Sequence, residues 1–478
     1  MNDRMLIDGQ WTEGESGRRI EVRNPATGEV FAAVSEGDAG SIDQAVAAAR
    51  ASFEDGRWRD LPPATRGKIL WRLADLLEAN ADEIARLETS NVGMPLVMAH
   101  YQVSAAAEAL RYFAGWATKI HGRSTELNNG FQRHMGYTLR EPVGVVGAIV
   151  PWNAPLLMVA WKLGPALAAG CSTVLKPAEN TPLTALAFGR LALEAGIPAG
   201  VVNVVPGYGA TAGAALAAHM DVDKLSFTGS TNVGRELLRA ATGNFKRLTL
   251  ELGGKSPFII CEDAALDEAI GAAQMAILAN CGQNCSAGSR LIVHRSVYDR
   301  VLEGVAAGAR GIPQGDGLDP ASQIGPLVSQ KQLERVSAYI ESGKAGGATV
   351  VAGGERLDRP GYFVQPTVFA DVAGDLAIAR EEIFGPVLVV SRFDEVDEAV
   401  AMANDTDYGL ASYVWSQDAK RPHQIARRIR AGTVWVNTAL AIDPSLPVGG
   451  FKQSGWGREN GPDGIEAYLE TKSVIAAI

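Results

Sequence analysis

Short apolar runs alternating with helical stretches fill the middle of this chain. The first 120 residues differ. "LIDGQW" sets Asp-Gly between flanks able to form strands and predicts a hairpin. Helices are predicted next: Ile42 to Phe53 is Ala-rich, and in "RGKILWRLADLLEANADEIARLET" Ile69, Leu70, Leu73, Leu76 and Leu77 fall at helical spacing. From Val143 onward "VGVVGAIV", "STVLK", "GVVNVV", "DKLSF" and "RLTLE" predict strands. Between them, "TPLTALAFGRLALEAG" predicts a helix with Thr181 as N-cap, Pro182 in the first turn and Gly196 as its stop, and another helix begins after "TGST". Such alternation predicts a parallel sheet covered on both faces, with ligands beyond the carboxyl ends of the strands.

A second α/β series starts at Gly254. "PFIIC" predicts a strand, Leu266 to Asn280 a helix, "RLIVH" a strand and Tyr298 to Ala307 a helix, followed by the strands "VLVVSRF", "ASYVWS" and "GTVWVN". "STELNNGFQRHMGYTLREPVG" and "AYLETKSVIAAI" are strand-like pieces outside both series, and their open edges predict pairing with another chain. The stretch Pro142 to Trp161 carries no charge and is long enough to span a bilayer, but Pro142, Pro151, Asn153 and Pro155 interrupt it, so a buried strand, a loop and a helix start fit better.

Composition narrows the classes. With 478 residues, 47% hydrophobic and 21% charged, the chain is ordinary globular material large enough for a substantial core. A formal net charge of -10 argues against nucleic acid or an anionic membrane surface as partner. Four cysteines are too few for a disulfide framework in a chain of this size, and "MNDRMLIDGQW" lacks a signal-type apolar core, so a reducing, cytoplasmic location is expected. Six scattered histidines, without HExxH or paired CxxC, give no expectation of a metal site.

Five stretches carry possible chemistry. In "GQNCSAGSR" Cys285 stands among small and polar residues, where a thiol either fills a tight turn or faces a gap meant for another molecule. "RLTLELGGKSP" puts Glu251 at a strand end before two glycines, as a general base able to activate water or as an ordinary partner of Lys255. "PWNAP" holds Asn153 between rigid residues, as an oxyanion donor or a turn asparagine. "TVLKPAENTP" places Lys176 and Glu179 past a strand end, suited to the two hydroxyls of an adenosine ribose or to a solvated loop. A carboxylate there would repel a 2′-phosphate and favour NAD over NADP. "KLSFTGSTNVGRE" brings Gly229 and Ser230 to a helix start, where backbone N–H groups favour a phosphate; its spacing is not GxGxxG, and alone it matches any strand-to-helix turn. Together the five supply a nucleophile, an oxyanion donor, a base and two dinucleotide anchors.

Those residues resemble the aldehyde dehydrogenase superfamily, in its hydrolytic, non-phosphorylating branch. The likeness runs from "NPATGE" at Asn24 to the C-terminal strand and rests on "PWN", "KPAE", "FTGST", "ELGGK", "GQNC" and "EIFGPV", and on the 34-residue separation of Glu251 from Cys285 (285 − 251). The resemblance implies Cys285 as nucleophile, Glu251 as base, and Asn153 in the oxyanion hole with the Cys285 backbone N–H. It implies Lys176 and Glu179 on the adenosine ribose, Gly229 and Ser230 at the pyrophosphate, Glu382 on the nicotinamide ribose and Phe384 near the nicotinamide, with Trp152 also among the cofactor-binding residues. NAD is the implied cofactor, NADP a possible one, and no metal is implied. The implied fold is α/β: a Rossmann-like cofactor domain (1–120 and 143–253), a second α/β catalytic domain (254–455) and a small strand oligomerisation element (121–142 and 465–478), giving a homodimer or homotetramer.

Departures from the family bear on the substrate. Ala154 follows the oxyanion asparagine, Ala279 lies six residues before Cys285, and Val448 stands in "LPVGGFKQSG", three positions where aromatics are frequent in the family. Met158 and Trp161 keep the family's apolar wall, and Asn284 and Ser286 flank the nucleophile. The smaller side chains imply a wide tunnel and a bulky aromatic or long-chain aldehyde. The rival readings are a CoA-acylating or phosphorylating dehydrogenase, which has no need of Glu251, and a non-catalytic protein of the same fold, which has no need of Cys285.

Overall fold

The computed structural model of the chain describes residues 2–127 and 133–477. Its first sheet has eight strands, in the order Gly455–Trp456, Arg247–Glu251, Lys224–Thr228, Val145–Ile149, Ser172–Lys176, Val202–Val204, Met5–Ile7 and Gln10–Thr12. The five from Arg247–Glu251 to Val202–Val204 run parallel. Every residue of Val145–Ile149 and Ser172–Lys176 is buried, because helices cover both faces. The chain enters this parallel run at its centre, with Val145–Ile149. It builds to one side as far as Val202–Val204, then crosses to Lys224–Thr228 on the other. The change of direction opens a crevice past the carboxyl ends of the two central strands.

Met5–Ile7 and Gln10–Thr12 form the expected hairpin, with Asp8 (φ 49°) and Gly9 (φ 72°) both left-handed at its turn. Two local expectations need correction. Thr181 does not cap the helix Leu183–Ala195; Pro182 occupies the cap position and Thr181 is fully buried, although Gly196 (φ 100°) ends the helix as expected. The helix expected to reach Asn280 is Leu266–Leu278, because Asn280 and Cys281 are left-handed.

The second sheet orders Thr349–Ala352, Thr367–Ala370, Val387–Phe393, Arg290–His294, Pro257–Ile260, Ala411–Trp415 and Thr433–Val436. Only Thr349–Ala352 is antiparallel to its neighbour. Thr349–Ala352 and Thr367–Ala370 were not foreseen. The chain then returns to the first sheet: Leu250 pairs with Trp456, so a boundary at 455 cuts through the strand Gly455–Trp456.

Leu469–Ala477, His134–Pro142 and Ser124–Leu127 make a separate antiparallel sheet, in register from Leu469↔Pro142 to Ala477↔His134. Within the segments 121–142 and 465–478, residues 128–132 and 478 lie outside the described residues. The uncharged stretch is shared between strand Val145–Ile149 and helix Pro155–Ala169, and no described helix is long and apolar enough to cross a membrane.

Candidate active site

The loop that carries Cys285 is made by a run of left-handed residues. Asn280 (φ 50°), Cys281 (φ 57°) and Gly282 (φ 70°) reverse the chain after helix Leu266–Leu278. Gly282 is required, since a Cβ there would lie 2.1 Å from the Gly385 carbonyl oxygen. Two hydrogen bonds from side-chain amides tie this turn to the loop after strand Val145–Ile149: Asn280 Nδ2 donates to Asn153 O (2.9 Å) and Asn153 Nδ2 donates to Gln283 O (3.0 Å). The fully buried Gln283 accepts from the Val328 N–H at 2.8 Å. Asn284 Oδ1 accepts from both the N–H (3.1 Å) and the hydroxyl (3.0 Å) of Ser286. Cys285 stands between these two residues with part of its surface open.

Protein encloses most of the Cys285 thiol. Loss of water, then the carboxyls of Glu382 and Glu251, push it up to about 12, against a smaller downward pull from the backbone N–H groups of Ser286 and Cys285. Before any ligand arrives the sulfur is therefore a protonated thiol. Cys281, four residues earlier, is a core residue whose thiol burial alone pushes up.

Glu251 is buried at the end of its strand, and one of its oxygens has no hydrogen-bond partner. Burial and the neighbouring Glu459 hold its carboxyl well above the usual range, while Lys162 and Arg458 oppose them. Lys255 is not its partner: the Lys255 ammonium is unpaired, and burial, with Arg290 beside it, lowers it to about 7. Each of the two glycines after Glu251 lets another group of the site approach closely. A Cβ on Gly253 would lie 2.3 Å from Glu382 Oε2, and one on Gly254 would lie 2.4 Å from Cys285 O. The Gly254 N–H donates to Glu382 Oε1 at 3.0 Å. The room beside Glu251 comes from Gly449, where a Cβ would be 2.9 Å from Glu251 Oε1.

The residues expected to hold the cofactor gather at the same end of the first sheet. Lys176 Nζ lies 3.6 Å from Glu179 Oε2, and burial of the lysine lowers its ammonium. Ser230 caps helix Thr231–Ala240, accepting from the Val233 N–H at 3.4 Å, and the Gly229 N–H donates to Glu251 O at 3.0 Å. Gly234 lets this helix approach the sheet, since a Cβ there would meet Leu252 at 2.8 Å. The rings of Trp152 and Phe384 meet edge to face, with centroids 5.1 Å apart. Burial pushes the Glu382 carboxyl up to about 7, and the adjacent Glu382 carbonyl accepts from Arg335 at 2.7 Å. The Thr228 hydroxyl at the strand end is buried and has no partner. A lysine–carboxylate pair for a diol, a capped helix start for a diphosphate and an unfilled hydroxyl at the end of the strand before it fit a dinucleotide.

In the expected substrate wall, Met158 and Trp161 are buried on helix Pro155–Ala169, and Ala154, Ala279 and Val448 are partly buried. Ala154 and Val448 pack on the same apolar cluster as Tyr112 and Trp116. Among the described residues one group has the makings of a metal site, Cys261, Glu262 and Asp263, but Arg421 already pairs with both carboxylates (2.7 and 3.3 Å).

The sequence reading missed Lys162 and Glu459, a wholly buried ion pair beside Glu251. Ser226 bridges them, 3.3 Å from each. Lys162 had a signal: it is the one charge in the buried helix "PLLMVAWKLGPALAA". Glu459, 297 residues away, had none.

Comparison with known proteins agrees with this arrangement. The family model for the aldehyde dehydrogenase family matches residues 11–474. A mitochondrial benzaldehyde dehydrogenase of Antirrhinum majus is 48% identical over 478 residues, covering 100% of this chain and 89% of the relative. An NAD+ complex of an aldehyde dehydrogenase from Bacillus cereus superposes with a TM-score of 0.98 at 49% identity, covering 100% of this chain and 97% of that one. An indole-3-acetaldehyde dehydrogenase of P. syringae, in complex with NAD+ and IAA, gives 0.96 at 45% identity, with 100% and 97% covered. A family model matching residues 11–474 and a fold shared with these enzymes over the whole chain lead to one conclusion: this protein belongs to the aldehyde dehydrogenase family and oxidises aldehydes with NAD.

Proposed function

We propose that Cys285 is the nucleophile, Glu251 the general base and Asn153 an oxyanion donor, and that the substrate is a bulky aromatic or long-chain aldehyde. The observation that carries this reading is the tie between Asn153 Nδ2 and Gln283 O, which fixes the amide two residues from Cys285. That bond uses one N–H of the amide and leaves the other to donate. The Cys285 proton leaves through water to solvent as the sulfur bonds to the aldehyde carbon, and the carbonyl oxygen becomes an oxyanion held by Asn153 Nδ2 and the Cys285 N–H. Removing one such donor costs about 10²–10³ in turnover. Bound NAD supplies the hydride acceptor and a positive charge that favours the thiolate. Collapse of the oxyanion with loss of hydride leaves a thioester on Cys285. Glu251 takes a proton from water, the water oxygen attacks the thioester, and the acid departs as the sulfur is released. Burial and Glu459 hold the Glu251 carboxyl above the usual range, so once ionised it is a stronger base than a solvated carboxylate. Lys176 and Glu179 hold the adenosine ribose, Gly229 and Ser230 the pyrophosphate, Glu382 the second ribose, and Trp152 and Phe384 flank the nicotinamide. Glu179 favours NAD over NADP.

The substrate reading rests on the small side chains of Ala154, Ala279 and Val448 and on the apolar Met158 and Trp161, with Asn284 and Ser286 on the nucleophile's flanks. The benzaldehyde and indole-3-acetaldehyde enzymes among its relatives support it. The open edges of the three-stranded sheet support a homodimer or homotetramer, and four unpaired cysteines support a reducing, cytoplasmic setting. Two measurements test the proposal. Cys285→Ala should abolish NADH formation, and parent-level rates would end the nucleophile assignment. A benzaldehyde-type substrate should have the higher kcat/KM than acetaldehyde, and the reverse order would refute the wide tunnel.

A further inference from the structure

The strands "PFIIC", "ASYVWS" and "GTVWVN" each carry an aromatic residue at one level of the second sheet. Phe258 lies directly opposite Tyr413, and Tyr413 directly opposite Trp435. Their rings stack, with centroids 5.0 Å apart at 18° and 4.8 Å apart at 20°. Tyr413 is fully buried between the other two, so its ring has no freedom to turn away. The backbone of the nucleophile loop lies on this stack: a Cβ on Gly288 would be 3.1 Å from Phe258 Cδ2 and 3.4 Å from Tyr413 Cε2. The Tyr413 hydroxyl donates to Ser286 O at 2.8 Å. The N–H and hydroxyl of Ser286 are already held by Asn284, a bond local to the turn. Tyr413, 127 residues away, adds the tie from the sheet. At the far end of the stack, Trp435 Nε1 donates to Ala441 O at 2.7 Å, on the segment that leads to Val448 and Gly449.

We propose that Tyr413 is a positioning residue for the nucleophile: aimed by the ring stack, its O–H holds the Ser286 carbonyl and so fixes the Cys285 sulfur and backbone N–H against the incoming carbonyl carbon. The inference rests on the assignment of Cys285 as nucleophile. Burial keeps the phenol protonated, so it stays a donor at every working pH. An acylation step is sensitive to displacements of its reacting atoms far smaller than unfolding requires. A hydrogen bond that sets such a position therefore acts on turnover more than on affinity.

The test is Tyr413→Phe, which keeps the stack and removes only the hydroxyl, run beside Cys285→Ala. Tyr413→Phe should lower kcat about tenfold with both KM values within about twofold, the pattern of a contact that matters in the transition state. Its thermal midpoint should fall by no more than a few degrees, roughly the effect of one hydrogen bond. Parent-level kcat with a lowered midpoint would make the bond merely structural and overturn the proposal. So would a raised KM with kcat unchanged. If Cys285→Ala is inactive while Tyr413→Phe turns over normally, the role of Tyr413 falls alone; if Cys285→Ala stays active, the nucleophile assignment falls and this inference with it.

Discussion

Replacing Glu382 with glutamine should speed the alkylation of Cys285, and the effect should depend on pH. The thiol is pushed up to about 12 from an ordinary 9.0. Those three units correspond to about 4 kcal/mol against the thiolate, and at pH 7 they leave roughly one sulfur in 10⁵ ionised. Lost hydration is the largest cause and the Glu382 carboxyl the next. Glu382 Oε1 accepts from the Gly254 N–H, and Gly254 lies against Cys285 O. The neutral amide in Glu382→Gln removes that charge, an effect on the order of one unit, or tenfold in thiolate. Glu382 is itself pushed up to about 7, so below that pH it is already uncharged. The ratio of variant to parent alkylation rates should therefore be near one at pH 6 and rise to about ten at pH 9. Iodoacetamide without cofactor gives the rates, and Cys285→Ala supplies the background from Cys171, Cys261 and Cys281. A ratio flat across this range, or below one, would refute the electrostatic account.

Two further expectations follow from groups packed close to the site. In Gly449→Ala a Cβ would sit 2.9 Å from Glu251 Oε1 and 2.8 Å from Gly457 O, overpacking worth about 1–3 kcal/mol. Steady-state turnover should drop at least several-fold while the first burst of NADH survives, and an unchanged steady rate in stopped-flow would count against Glu251 as the base of hydrolysis. Glu88 is buried, accepts from the Leu156 N–H at 3.1 Å and is raised by burial to about 7. Because its folded value lies above its unfolded one, its contribution to stability is full below about pH 4.5 and lost as pH rises to about 7. Glu88→Gln keeps an acceptor without the charge, so it should raise stability at pH 8 by up to about 3 kcal/mol and change little at pH 4.5; equal denaturant midpoints at pH 8 would oppose this.

The central strands were legible because buried parallel strands are written as unbroken apolar runs, as in "VGVVGAIV" and "STVLK". Thr349–Ala352 and Thr367–Ala370 are four residues each, at one side of the sheet, and neither stands in an apolar run as long as those of the central strands. The candidate site stood out wherever chemistry and backbone shape coincide in one stretch, as at Cys285 and Asn153. Features assembled across the fold were not. Gly449 makes room for a carboxylate 198 residues earlier in the chain (449 − 251), and Lys162 finds Glu459 only when the last segment folds back. Tyr413 looks in sequence like any strand aromatic; its hydroxyl acquires a purpose only from the carbonyl that the nucleophile loop presents.

The strand Gly455–Trp456 zips against Leu250 and Glu251 from more than 200 residues further along the chain (455 − 250 = 205), and Glu459 beyond it reaches Lys162. A ribosome that has released residues 1–253 has therefore made a nucleotide-binding layer with one margin unsealed and a buried lysine still lacking its counter-ion. That layer can mature only after nearly the whole polypeptide has emerged, so the protein has to fold as an interlaced pair rather than as beads on a string. Splitting it into separately expressed halves would yield two sticky intermediates in place of two working modules.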